Sequence, residues 1–110
     1  MGYQSLKDVI TAAAKGHVTV IDVRESAEVS ASGQAKGALH IPMAMLAMRA
    51  DPKGGSFDSR IDPAKPVVIY CAAGGRAGMA AQTLQNLGYD ATNIGGLGDW
   101  ANAGGPISRG

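Results

Sequence analysis

Two short runs, Val18-Thr19-Val20-Ile21 and Val67-Val68-Ile69-Tyr70, are β-branched or aromatic throughout and lack polar alternation. A strand with one wet face alternates apolar and polar side chains, so these runs suit strands covered on both sides, as in a parallel sheet between helices. The segments between them carry helical patterning. Ser5 is placed to cap a helix on which Leu6, Val9, Ile10 and Ala13 recur at helical spacing, with Asp8 in the first turn and Gly16 past the end. Glu25 to Ala35 is expected to hold a short helix capped by Ser26, before a turn at Lys36-Gly37. Ala38 to Ile41 reads as a brief strand stopped by Pro42, and Met43 to Ala50 as two helical turns. Asp51 to Pro66, with three Pro and two adjacent Gly, reads as one surface loop. A helix from Arg76 to Leu87 is predicted with Met79, Ala80, Thr83, Leu84 and Leu87 on one side and Gly88 as its stop. Ala91 to Ile94 is the last expected strand, and Gly98 to Ala103 a short helix anchored by Trp100. Strands alternating with helices over 110 residues predict one α/β domain with a largely parallel sheet.

Composition sets the terms for function. Nineteen Ala and sixteen Gly, about a third of the chain, imply closely packed backbones and a core of small side chains. The net charge of +1 gives no general attraction to nucleic acid or anionic lipid. The longest apolar run, Ile41 to Met48, is far shorter than the roughly 18 residues that span a bilayer, and no charged-then-apolar signal opens the chain. Neither a nucleic-acid nor a membrane partner is therefore expected, and the location is read as cytoplasmic. Met1-Gly2 is also compatible with the remnant of a trimmed leader. Cys71, the one cysteine, can make no internal disulfide and has no Cys or His partners at zinc-ligand spacing. It is either inert packing or the chemistry.

Cys71 ends a buried-type strand and opens the segment Ala72-Ala73-Gly74-Gly75-Arg76 that leads into a helix. In open parallel sheets ligands bind at this end of the strands. Small side chains let the loop's N–H groups curl around an anion, and a thiol held there has its pKa lowered from about 8.5. Arg76 opposes the helix macrodipole unless an anion, thiolate or substrate, compensates it. A structural cysteine beside a solvent-facing Arg is the bland alternative; the strand, the small-residue turn and Arg76 together favour reactivity. His17 and His40 have no third ligand in range and read as surface or packing residues. Met43, Met45 and Met48 read as core filling that is also suited to wall a pocket. Gly95-Gly96-Leu97-Gly98 lacks the context of a dinucleotide fingerprint, and no phosphate-loop motif occurs, so no cofactor is implied.

Cys71-Ala72-Ala73-Gly74-Gly75-Arg76 followed by Ala77 resembles the Cys-x-x-Gly-x-Arg-Ser/Ala signature of the rhodanese family. Ile21-Asp22-Val23-Arg24 resembles that family's first strand motif, and Gly37-Ala38 leading to Ile41-Pro42 its second. Gly95-Gly96-Leu97-Gly98-Asp99-Trp100 with Gly105-Pro106 is similar to its closing segment, so the likeness runs from about Tyr3 to Ile107. The resemblance implies a three-layer domain with a mainly parallel, five-stranded sheet flanked by helices. It implies sulfur transfer from a donor such as thiosulfate or a small persulfide to cyanide, a thiol or a protein acceptor, without cofactor or metal. Cys71 would be the nucleophile and persulfide carrier, the amides of Ala72, Ala73, Gly74, Gly75 and Arg76 its stabilisers, and Arg76 an anion contact. Asp22 and Arg24 would support the loop. The chain departs from many relatives in Gly33-Gln34-Ala35, where they have Gly-His-Ile, and in neutral Ala72 and Ala73, so weak thiosulfate binding is expected. Phosphatases and arsenate reductases of the related fold have five residues between Cys and Arg; this chain has four. A sulfur carrier or binding module that turns over only with a dedicated protein is the other alternative.

Overall fold

The structure, a computed structural model, describes residues 3–109; Met1 and Gly2, on which the leader expectation rests, and Gly110 lie outside the described residues. In chain order the elements are α1 (Leu6–Ala14), β1 (Thr19–Asp22), α2 (Ser26–Ser32), β2 (Gln34–Ala35), β3 (Leu39–His40) and α3 (Met43–Arg49). They continue with β4 (Val67–Cys71), α4 (Gly75–Asn86), β5 (Ala91–Gly96), α5 (Leu97–Asn102) and β6 (Ile107–Ser108). The central sheet is parallel with order β3-β1-β4-β5. The two apolar runs of the sequence, β1 and β4, are thus its inner strands, in register from Thr19 opposite Val67 to Asp22 opposite Tyr70.

Strand alternation divides the core into two layers. Ile21, Val67, Ile69 and Cys71 face α3 and α4, against Leu46, Ala77, Ala80 and Leu84. Val20, Val68 and Tyr70 face α1 and α5, against Val9, Ala12 and Trp100. The three-layer α/β architecture is therefore as expected, but its sheet has four strands, not five. Gln34–Ala35 pairs antiparallel with Ile107–Ser108 in a separate two-stranded ribbon, and the Ala35 N–H donates to Tyr70 Oη at 2.9 Å instead of to a strand of the sheet. That segment joins neither edge strand of the sheet, β3 or β5, and takes β6 as its partner.

Local signals account for the starts of α1 and α2. Ser5 Oγ accepts the Asp8 N–H at 3.2 Å, as expected. The start of α2 differs: Glu25, not Ser26, is the cap residue, and Glu28 closes it by accepting the Glu25 N–H at 3.0 Å. The inner face of α4 is also rotated from the expected one. Ala77, Ala80, Ala81 and Leu84 are buried, whereas Met79 is 65% exposed, because the small alanines allow α4 to lie close on β4 and β5. Among the described residues no helix is long and apolar enough to cross a membrane.

Candidate active site

Cys71 is the last residue of β4 and is 1% exposed. The chain leaves it through exposed Ala72 and Ala73 and enters α4 at Gly74, whose φ of 106° lies in the left-handed region that glycine adopts without strain. That turn folds the backbone over the sulfur. Gly74 N–H donates to Cys71 Sγ at 3.0 Å and Ala77 N–H at 3.4 Å. Burial pushes the thiol pKa up, but the N–H groups of Ala77, Gly74, Ala73 and Arg76 together push it down further, leaving it below the ordinary thiol value. The cradle expected from the small residues is formed, and its first occupant is the sulfur itself.

β5 shapes the other wall. Ile69 lies opposite Asn93 but Cys71 opposite Gly96, so β5 carries one extra residue in a bulge. The bulge brings Gly96 against the loop so closely that a Cβ there would overlap the Ala72 carbonyl. Asn93 Nδ2 donates to the Gly74 carbonyl at 3.0 Å, and the Asn93 side-chain oxygen accepts the Gly95 N–H at 2.8 Å.

Arg76 stands in the first turn of α4, where the macrodipole disfavours a cation. The carboxylate paired with it is Glu28 of α2, a partner the sequence did not suggest. Arg76 Nη1 and Nη2 donate to Glu28 Oε1 and Oε2 at 2.6 and 2.8 Å, a bidentate pair with each side chain about one-third exposed. Hydrogen bonds from Arg76, and then from the Glu25 N–H, hold the Glu28 carboxyl down at about 2.

Asp22 and Arg24 form a second, buried pair. Arg24 donates through Nε and Nη2 to both Asp22 oxygens at 2.8–3.1 Å, and the Arg24 N–H reaches Asp22 Oδ1 at 2.9 Å. Nη1 donates to Ser32 Oγ at 2.7 Å and Nη2 also to the Gly33 carbonyl at 2.6 Å. Tyr70 Oη donates to Asp22 Oδ2 at 2.6 Å, which ties this network to the residue preceding Cys71. Its bonds run to the root of the loop and the end of α2. His40 Nε2 is 2.7 Å from the Arg24 carbonyl, and His17 is exposed. Met43 and Met45 pack partly buried on the core beside α4, while Met48 is half exposed.

Comparison with known proteins places this arrangement. The family model for the rhodanese-like domain matches residues 5–103. The chain belongs to the rhodanese family. A sulfurtransferase from Allochromatium vinosum is 36% identical over 92 residues, covering 82% of this chain and 78% of that protein. A thiosulfate:glutathione sulfurtransferase from Saccharomyces cerevisiae is 30% identical over 102 residues, covering 81% of this chain and 68% of that protein. Among solved structures, a protein of unknown function from Rhodopseudomonas palustris, described as a possible tyrosine phosphatase, superposes with a TM-score of 0.81. It is 33% identical, over 94% of this chain and 81% of the other. A rhodanese-related protein from Thermoplasma volcanium gives a TM-score of 0.74 at 26% identity, over 96% of this chain and 98% of the other.

Of the residues that build this rhodanese site, the sequence marks Cys71, Ala72 to Arg76, Asp22 and Arg24, and it does not mark Glu28, Tyr70, Asn93 or the Ala77 amide. Glu28 had a signal in its place three residues after Glu25, the spacing of a capping box. Tyr70 had one too, since a tyrosine at the end of a fully buried strand needs a partner for its hydroxyl. Asn93 is marked only by being the one strongly polar residue in β5.

Proposed function

We propose that this rhodanese moves sulfane sulfur from a small donor, thiosulfate or a low-molecular-weight persulfide, to a thiol, cyanide or protein acceptor through a persulfide on Cys71. The Cys71 thiolate attacks the outer sulfur of thiosulfate, the S–S bond breaks, and its electron pair leaves with sulfite. The enzyme then carries Cys71–S–S⁻. In the second half the acceptor thiolate or cyanide attacks the terminal sulfur, a new S–S or C–S bond forms, and Cys71 departs as thiolate. Both half-reactions place negative charge on sulfur inside the loop, where the amides of Ala72, Ala73, Gly74, Gly75 and Arg76, joined by that of Ala77, stabilise it. Asp22 and Arg24 hold the loop's root. Arg76 acts as an anion contact to the extent that a donor draws its charge from Glu28, which favours a singly charged persulfide over dianionic thiosulfate.

The observation that carries this reading is the pair of N–H groups, from Gly74 and Ala77, already aimed at Cys71 Sγ at 3.0 and 3.4 Å. The sulfurtransferase relatives support it. The four residues between Cys71 and Arg76 favour it over phosphate-ester hydrolysis, for which vanadate inhibition with phosphatase turnover would speak. Intact-protein mass spectrometry after brief exposure to thiosulfate tests it. A gain of one sulfur that cyanide removes, and that Cys71→Ser abolishes, is the expected result. Absence of that gain with thiosulfate, mercaptopyruvate and glutathione persulfide alike overturns it. Persulfide formation with turnover of only a protein acceptor identifies a sulfur carrier.

A further inference from the structure

We propose that Asn93 is a positioning residue for the reactive thiol: bridging the Gly74 carbonyl and the Gly95 N–H, it locks the turn that presents the Gly74 and Ala77 amides to Cys71 Sγ. The bridge has a fixed sense, because only Nδ2 can donate to the carbonyl and only the side-chain oxygen can accept from Gly95. Gly74 has a left-handed backbone, and a glycine there has conformations open to it that other residues are denied. Its carbonyl accepts from Gly78 N–H in the first turn of α4 at 3.0 Å and from Asn93 at 3.0 Å, so the amide side chain adds a tether from outside the helix.

The Asn93 side chain is exposed and runs alongside the first turn of α4: a Cβ at Gly78 would stand 3.5 Å from Asn93 Nδ2 and one at Gly74 3.9 Å from it, both ordinary contact distances. The β5 bulge falls between the Ile69–Asn93 and Cys71–Gly96 pairings, and Gly95 within it has φ 93°. The same bulge therefore supplies the N–H that orients the amide and seats Gly96 under Ala72. Asn93 touches no reacting atom, and its effect on the sulfur passes entirely through Gly74.

The consequence for turnover rests on the sulfurtransferase reading, but the poise of the thiol is measured without it. The test follows the rate of Cys71 alkylation by iodoacetamide against pH in the full chain, for the parent, Asn93→Ala and Asn93→Gln, beside their melting temperatures. In Asn93→Ala the alkylation midpoint is expected to move to higher pH, with the rate at pH 7 falling roughly three- to tenfold and melting shifted by only a few degrees. Asn93→Gln, which keeps both amide groups on a longer arm, should recover part of the rate. An Asn93→Ala protein that is folded and shows the parent's alkylation profile overturns the proposal. So does one in which the rate falls only in proportion to unfolded protein. If the midpoint moves while the parent forms no persulfide, the positioning role stands and the sulfurtransferase reading fails.

Discussion

Two Arg–carboxylate pairs flank the loop, and they do opposite kinds of work. Asp22–Arg24 joins residues two apart in the chain, with side chains 0% and 4% exposed. Glu28–Arg76 joins residues 48 apart and is about one-third exposed. The buried pair survives desolvation because its polar atoms are engaged by Ser32, Gly33, Tyr70 and the backbone, and no buried side-chain polar atom among the described residues lacks a partner. It belongs to the architecture. The outer pair lies in high-dielectric surroundings and contributes little to folding, yet it sets the charge beside the thiol.

The sharpest way to break the contrast is Asp22→Ala, which strands a buried guanidinium. A loss of about 3–5 kcal/mol in chemical denaturation is expected, with activity falling as folded protein is lost. A variant as stable and active as the parent would remove Asp22 from any supporting role. Tyr70→Phe should be milder. It takes one donor from Asp22 and leaves the Ala35 N–H without its acceptor, for an expected cost of about 1–3 kcal/mol by the same measurement. Glu28→Gln should be mildest for stability and most visible in kinetics. Melting is expected to move by no more than a few degrees, while the KM for thiosulfate falls severalfold as Arg76 regains an unpaired charge. An unchanged KM would mean that Arg76 does not meet the donor.

The outer pair also has a pH signature. Glu28 titrates at about 2 when folded, below its ordinary value of 4.5, so its contribution is complete above 4.5 and is lost as the pH falls through about 2. Urea midpoints measured across that window should therefore fall less in Glu28→Gln than in the parent. Asp58, held at about 2 by Arg60, keeps some acid dependence of the same sign in both proteins.

The parts of the site legible in the sequence are those a short window specifies. Cys71 at the end of an unbroken apolar strand, followed by Ala72, Ala73, Gly74 and Gly75, announces a strand, a tight turn and a helix start, and all three form there. Arg76 was legible as a cation in need of an anion, but the anion was not, because Glu28 lies 48 residues away in the chain and meets it only in the folded domain. The fifth strand came from the family resemblance, whereas the apolar runs themselves mark four strands, and those four form the sheet. A two-residue segment such as Gln34–Ala35 carries no period from which its partner can be read.

The sequence alone determined the inner strands, the layered α/β class and the nature of the reactive loop, because β-branched runs, small-residue turns and caps act through neighbours in the chain. The tertiary structure alone decided which residues complete the site. Glu28 with Arg76, Tyr70 with Asp22 and Asn93 with Gly74 are separated by 48, 48 and 19 residues. Their meeting depends on the β3-β1-β4-β5 order and on one extra residue in β5, which no local propensity encodes.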